Sequence, residues 1–153
     1  MENNHTEPPR IDLGFYEKVI IFHCLIDEVY LGSIIDHLEP KYFENPDIKA
    51  IVGITVEFFN TRGTIPTLTE LKAYLTTPDL LDSFKRVVSI ISDFDKKFNK
   101  DELYENTERF LKEKAVYNTM LTVAEECSSG NIDTSDILDR FETSCNVNLN
   151  LDK

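Results

Sequence analysis

Glycine is scarce in this chain, with only five residues, at positions 14, 32, 53, 63 and 130. Their spacing fits neither the phosphate-cradling loop G-x-x-x-x-G-K-S/T nor the dinucleotide fingerprint G-x-G-x-x-G, so both are excluded. Tryptophan is absent, and the three cysteines, Cys24, Cys127 and Cys145, form no C-x-x-C pair and leave one thiol over in any disulfide scheme. Together with an N-terminus, Met1-Glu2-Asn3-Asn4, that lacks the basic and apolar regions of a signal peptide, this implies a reduced, cytoplasmic protein. The longest mainly apolar stretch, Val19 to Leu31, is interrupted by His23, Asp27 and Glu28 and falls short of the roughly 20 apolar residues that span a bilayer. Positive charge is also in deficit: the net charge is −12, and a cut after Thr76 leaves 12 acids and 6 bases before it and 16 acids and 10 bases after it, −6 on each side. Little direct DNA binding through neutralised phosphates is expected of such a chain.

What is present is enough for a core. Of the 153 residues, 41% are hydrophobic and 10% aromatic, and a chain of this size buries roughly two thirds of its unfolded surface. Residues 1–10 are polar and carry Pro8-Pro9, which predicts a mobile tail. From Phe15 to Val29 the apolar residues recur at helical spacing, and Asp27 can cap a second helical piece through Ile34, Ile35 and Leu38 that Pro40 ends, unless the two pieces run together. Asn45-Pro46 sets a capping side chain before a first-turn proline, predicting a helix over 46–61 that Gly63 stops. Thr67 and Glu70 form a capping box for a short helix through Leu71 and Leu75. Thr77-Pro78 repeats the cap-and-proline signal for a helix carrying Leu80, Phe84, Val87 and Ile91, with a strand over the β-branched run as the lesser alternative. Lys96 to Lys100 is a charged connector. Residues 101–129 contain neither Gly nor Pro and end at Gly130, predicting one long helix; Thr134 is expected to cap a last helix with Ile137, Leu138 and Phe141. The chain is therefore read as all-α: tail 1–10, an N-terminal helical bundle 11–97, a hairpin of a long and a short helix 98–146, and the start of a linker 147–153.

No constellation suggests catalysis. The only Glu-x-x-His is Glu2 with His5 in the tail, and His23 and His37 do not pair at helical spacing, so a zinc or di-iron site lacks ligands. His23 beside Cys24 reads as a helix-face histidine next to a buried cysteine, and all three cysteines sit in apolar patterning that favours small buried hydrophobes. The acidic pairs Glu125-Glu126 and Asp93-Asp95 and the basic clusters Lys85-Arg86, Lys96-Lys97-Lys100 and Arg109-Lys112-Lys114 read as solvated faces.

The long helix carries more apolar surface than one neighbour can cover. At about 100° per residue, Phe110, Val116, Tyr117, Met120, Leu121, Val123, Ala124 and Cys127 fall within roughly 160°, against the roughly 100° stripe that a single partner needs. Tyr104, Leu111 and Ala115 lie on another side. Either the N-terminal helices cover the excess, or a second chain does, in which case Phe110, Leu111, Val116, Tyr117, Met120, Leu121 and Ala124 form a self-association surface.

In order and spacing, the first helix with Leu25-Ile26-Asp27, then Leu38-Glu39-Pro40-Lys41-Tyr42-Phe43, Gly63-Thr64-Ile65-Pro66-Thr67 before Leu71, and Glu113-Lys114-Ala115-Val116-Tyr117-Asn118 on the long helix resemble the N-terminal domain of DnaB-type hexameric replicative DNA helicases. The versions of T-even-type bacteriophages are most similar, and the resemblance covers about residues 15–150. It departs from cellular members after Phe43, where Glu44-Asn45-Pro46 stands in place of a common histidine, and this puts cellular partner contacts in doubt. The resemblance implies a collar that pairs through its hairpins and docks primase, with a helicase loader as a further partner, in the cytoplasm of a bacterial host. ATP and magnesium would belong to a RecA-like C-terminal domain outside these residues, leaving this chain without cofactor or catalytic residues of its own. It further implies a docking surface at the hairpin end, where Glu125, Glu126, Asp133 and Asp136 make an acidic rim. On this reading the chain is a helicase fragment; the alternative is a stand-alone all-α phage replication or helicase-loading adaptor.

Overall fold

The structure, a computed structural model, describes residues 13–94, 98–147 and 149. The expected tail, the start of the Lys96 to Lys100 connector and most of the 147–153 segment lie outside them. The described residues form seven α-helices and no strand, so the protein is all-α. The helices are α1 (Leu13–Ile26), α2 (Glu28–Ile34), α3 (Pro46–Arg62), α4 (Leu68–Tyr74), α5 (Pro78–Ile91), α6 (Lys100–Ser128) and α7 (Thr134–Cys145), with 3₁₀ turns at Ile35–His37 and Pro40–Tyr42 between α2 and α3.

Most boundaries are set by side chains that satisfy orphan backbone groups. Asp27 separates α1 from α2: its extended backbone breaks the helix, its N–H still donates to His23 O at 2.8 Å, and its Oδ1 accepts from Tyr30 N at 3.1 Å. Asn45 Oδ1 accepts from Asp47 N and Ile48 N at the start of α3, where Pro46 fills the first turn. Gly63 closes that helix at φ +75°, a left-handed conformation that glycine adopts without a Cβ clash. Thr67 and Glu70 exchange hydrogen bonds of 2.9 and 3.2 Å as a capping box, and Thr77 Oγ1 accepts from Leu80 N. The last helix differs from expectation: Asp133 is its cap, accepting from Asp136 N at 3.2 Å, and Thr134 is the first helical residue. Either side chain can cap, and the carboxylate one residue earlier takes the place.

α1 packs against α2, α3, α5 and α6, and every residue from Val19 to Cys24 is buried. A helix apolar on all sides belongs at the centre of a bundle, and α1 is that centre. The polar groups buried with it are matched. Tyr16 Oη donates to Leu103 O, while Thr107 Oγ1 bonds Tyr30 Oη at 2.8 Å, joining α1 and α2 to α6. Glu17, itself buried, accepts from Glu44 N at 2.8 Å and Asn45 N at 3.1 Å, pinning the start of α3 to α1.

α6 runs for 29 residues, about 43 Å at 1.5 Å per residue, and its two halves meet different surroundings. Leu103, Tyr104, Thr107, Phe110, Leu111 and Lys114 are buried in the bundle. Beyond Ala115 the helix has α7 as its helical neighbour. The expected boundary between residues 97 and 98 therefore separates no two cores, since one hydrophobic cluster holds Ile20 and Ile48 together with Leu103, Phe110 and Leu111. The same cluster takes in Val147 and Leu149, and Leu149 N donates to Glu108 Oε2 at 3.1 Å. These two residues, expected in a linker, instead pack back on the root of α6.

Candidate self-association surface on the hairpin

The surface expected on α6 is divided by the structure. Phe110 and Leu111 are 3% and 0% exposed, with the Phe110 ring 6.2 Å from Tyr16 and 5.6 Å from Phe43 between centroids. They are core, and the self-association role expected of them is corrected. The N-terminal helices cover the proximal half of α6, where Lys114 is also buried, its Nζ 3.3 Å from Glu44 Oε2 and 5.7 Å from the Phe110 ring centroid. This corrects the reading of that lysine as part of a solvated cluster.

The distal half keeps its exposed apolar stripe. Tyr117, Met120 and Leu121 are 55%, 53% and 48% exposed, and Ala124 and Cys127 are exposed beside them. At 100° per residue these five span about 120°. Val116 and Val123 at one edge are half-buried. Ile132 in the turn and Leu138 on α7 add further exposed apolar area at the same end of the molecule.

α7 is fastened to the opposite side of α6 by polar groups. Thr119 and Ser144 share a hydrogen bond between their hydroxyls, and Arg140 holds the far end. Its two terminal nitrogens donate to the Glu126 carboxylate at 3.0 and 2.6 Å, while its Nε stands 3.1 Å from Asp136 Oδ2, too far off line for a hydrogen bond but close enough for an ion pair. The fork geometry of a guanidinium on a carboxylate accounts for the paired bonds to Glu126, and they hold the Glu126 carboxyl below its usual range.

This arrangement changes the acidic rim. Glu126 and Asp136 are bound to Arg140, and Asp133 is spent on the cap of α7. Of the four rim residues, Glu125 alone has a side chain free of hydrogen bonds and ion pairs. Asp136 is exposed and Glu126 partly so, as expected, and through Arg140 both also fasten the hairpin. Arg140 was missed by sequence reading, although a signal was there. It is the only base between Ala115 and Asp152, four residues after Asp136 on a helix, where an acid and a base share a face.

Cys24 is buried and its thiol is pushed far up by that burial, whereas Cys127 and Cys145 are exposed, correcting their reading as buried hydrophobes. His23 is buried, its Nδ1 2.8 Å from Val19 O. Among the described residues, no group of three or more His, Cys, Asp or Glu is placed to hold a metal, and no helix is long and apolar enough to cross a membrane. Compared with known proteins, the chain matches no family model, no curated protein and no solved structure.

Proposed function

We propose that this chain is a non-catalytic assembly module, the N-terminal collar of a DnaB-type phage replicative helicase, which associates with copies of itself through the distal hairpin and offers the hairpin end to primase. One observation carries the reading. The apolar stripe from Tyr117 to Cys127 continues the helix that anchors the bundle, yet the bundle leaves it uncovered. Contiguous apolar surface of this kind on a helix face is characteristic of association sites. Chemistry on ATP would then be supplied by a separate domain, and this chain would contribute position rather than turnover.

The stripe suits a two-fold pairing of α6 with α6 from a second copy. Set antiparallel with the two-fold axis at the level of Thr122, the large Tyr117 and Met120 would face the small Cys127 and Ala124. Set parallel and in register, Glu113 would meet its own like charge.

Sedimentation velocity across a dilution series tests this. Dimers or larger species should dissociate on dilution, and Tyr117→Glu and Leu121→Glu should each shift the population to monomer with helix content unchanged, because an unpaired charge at a packed apolar contact is costly. A parent chain that stays monomeric at its highest soluble concentration would remove the proposal, as would self-association that both variants leave untouched.

A further inference from the structure

On the opposite face of the hairpin, where its base approaches the two 3₁₀ turns, lies an open cleft of about 570 Å³, within the size range of small-ligand and short-peptide sites. Its walls come from three places: the 35–42 segment, the middle of α6 and the C-terminal end of α7.

The groups in these walls fall into two sets. The lysine and the arginine are already matched by carboxylates of the same chain, Lys41 to Glu39 at 3.3 Å and Arg140 to Glu126 and Asp136. A phosphate or other anion would find no free lysine or arginine there. The second set consists of Asp36, His37, Thr122, Thr143 and Asn146, which line the cleft and whose side chains have no hydrogen bond or ion pair within the chain. They supply one free carboxylate on the bundle side and hydroxyl and amide donors and acceptors on the hairpin side. The lining presents polar and apolar surface in nearly equal parts, as a peptide does, and a net charge of −12 favours a cationic ligand.

We infer that this cleft receives a short extended peptide segment from another protein, its main-chain amides held by Thr122, Thr143 and Asn146 and one basic side chain held by Asp36. Main-chain N–H and C=O groups alternate along an extended segment and match hydroxyl and amide side chains that can act in both senses. A guanidinium is the cation that a single carboxylate holds best, through two parallel hydrogen bonds. This inference stands apart from the self-association surface, which lies on the other side of α6.

The test uses the full chain labelled with nitrogen-15 and the probe peptide acetyl-Gly-Ser-Arg-Ser-Gly-amide, with a second probe in which uncharged citrulline replaces the arginine. The arginine probe should shift the amide resonances of Asp36, His37, Thr143 and Asn146, and the citrulline probe should bind more weakly. Asp36→Asn should cost roughly fivefold to tenfold in affinity, as loss of a charge-assisted hydrogen bond at a partly exposed site would, and Asn146→Ala should weaken both probes alike. Equal binding of the two probes, an unchanged affinity in Asp36→Asn, shifts confined to the hairpin end around Glu125, or no shifts at millimolar probe would each overturn it. The same resonances shifting when the chain alone is concentrated would assign the cleft to a second copy and also overturn it. The peptide-binding outcomes do not bear on Tyr117 or Leu121, so the two readings fail separately.

Discussion

Glu17 shows how much of this fold rests on single side chains. Its carboxylate takes the N–H groups of Glu44 and Asn45 where the chain turns into α3, and truncation leaves two donors without acceptors. Glu17→Ala should therefore lower unfolding free energy by about 1–3 kcal/mol in urea denaturation, whereas Glu17→Gln, which keeps one acceptor oxygen, should lose less. His23 makes a second residue-scale prediction. Burial holds its pKa below the ordinary 6.5, so below that pH the unfolded chain binds a proton that the folded chain refuses. Stability should be full above about pH 6.5 and fall as pH drops from there towards the lowered native pKa. Subtracting the pH profile of His23→Gln should remove that slope, and a parent profile flat across this range would contradict the assignment. The capping residues at Asp27, Asn45, Thr67 and Thr77 were legible in the sequence because their partners lie two or three residues away. Glu17 and Lys114 were not, since their partners lie 27 or more residues away, and nothing in local spacing marks a glutamate or lysine as buried.

Among the elements, α6 is the most instructive. Phe110 and Leu121 are eleven residues apart, which returns the helix to within about 20° of the same direction. One is 3% exposed and the other 48%. The periodicity of the sequence identifies the stripe but carries no information about where the bundle stops, because that depends on the lengths of α1 and α2 and on how they lean. Phe110→Ala should accordingly cost about 3–5 kcal/mol of stability, while Tyr117→Ala should stay within about 0.5 kcal/mol in a monomer, and a comparison of the two by denaturant titration separates core from surface. The hairpin has its own weak point. Arg140 draws Glu126 on α6 and Asp136 on its own helix to one place, so Arg140→Gln should speed amide exchange across α7 while leaving α1 protected. Equal protection in parent and variant would show that the half-buried Ile137 and Phe141 suffice to hold α7.

For the whole molecule, charge decides how association responds to salt. Two copies that meet through an apolar stripe each bring a charge of −12, and their mutual repulsion is screened as ions are added. Self-association should therefore strengthen between low and physiological ionic strength. Docking of a basic partner at Glu125 and its surroundings should respond in the opposite sense, with an association rate that falls as salt rises. Measuring both on the same preparation checks the proposed division of surfaces: a common sign for the two would show that one of them has been misplaced.

The return of Val147 and Leu149 to the bundle core, with Leu149 N on Glu108, also has a mechanical consequence. Tension applied to the chain beyond Leu149 is transmitted to the root of α6, where Leu103, Phe110 and Leu111 are packed, and not to the turn at Gly130. The distal hairpin is thus a cantilever, clamped at one end and carrying no axial load, and its stiffness is that of two helices side by side. Pulling on the C-terminal end should peel Leu149 and then Val147 from the core before α7 feels any force, so that the surface from Tyr117 to Cys127 keeps its shape while the rest of the molecule is under strain.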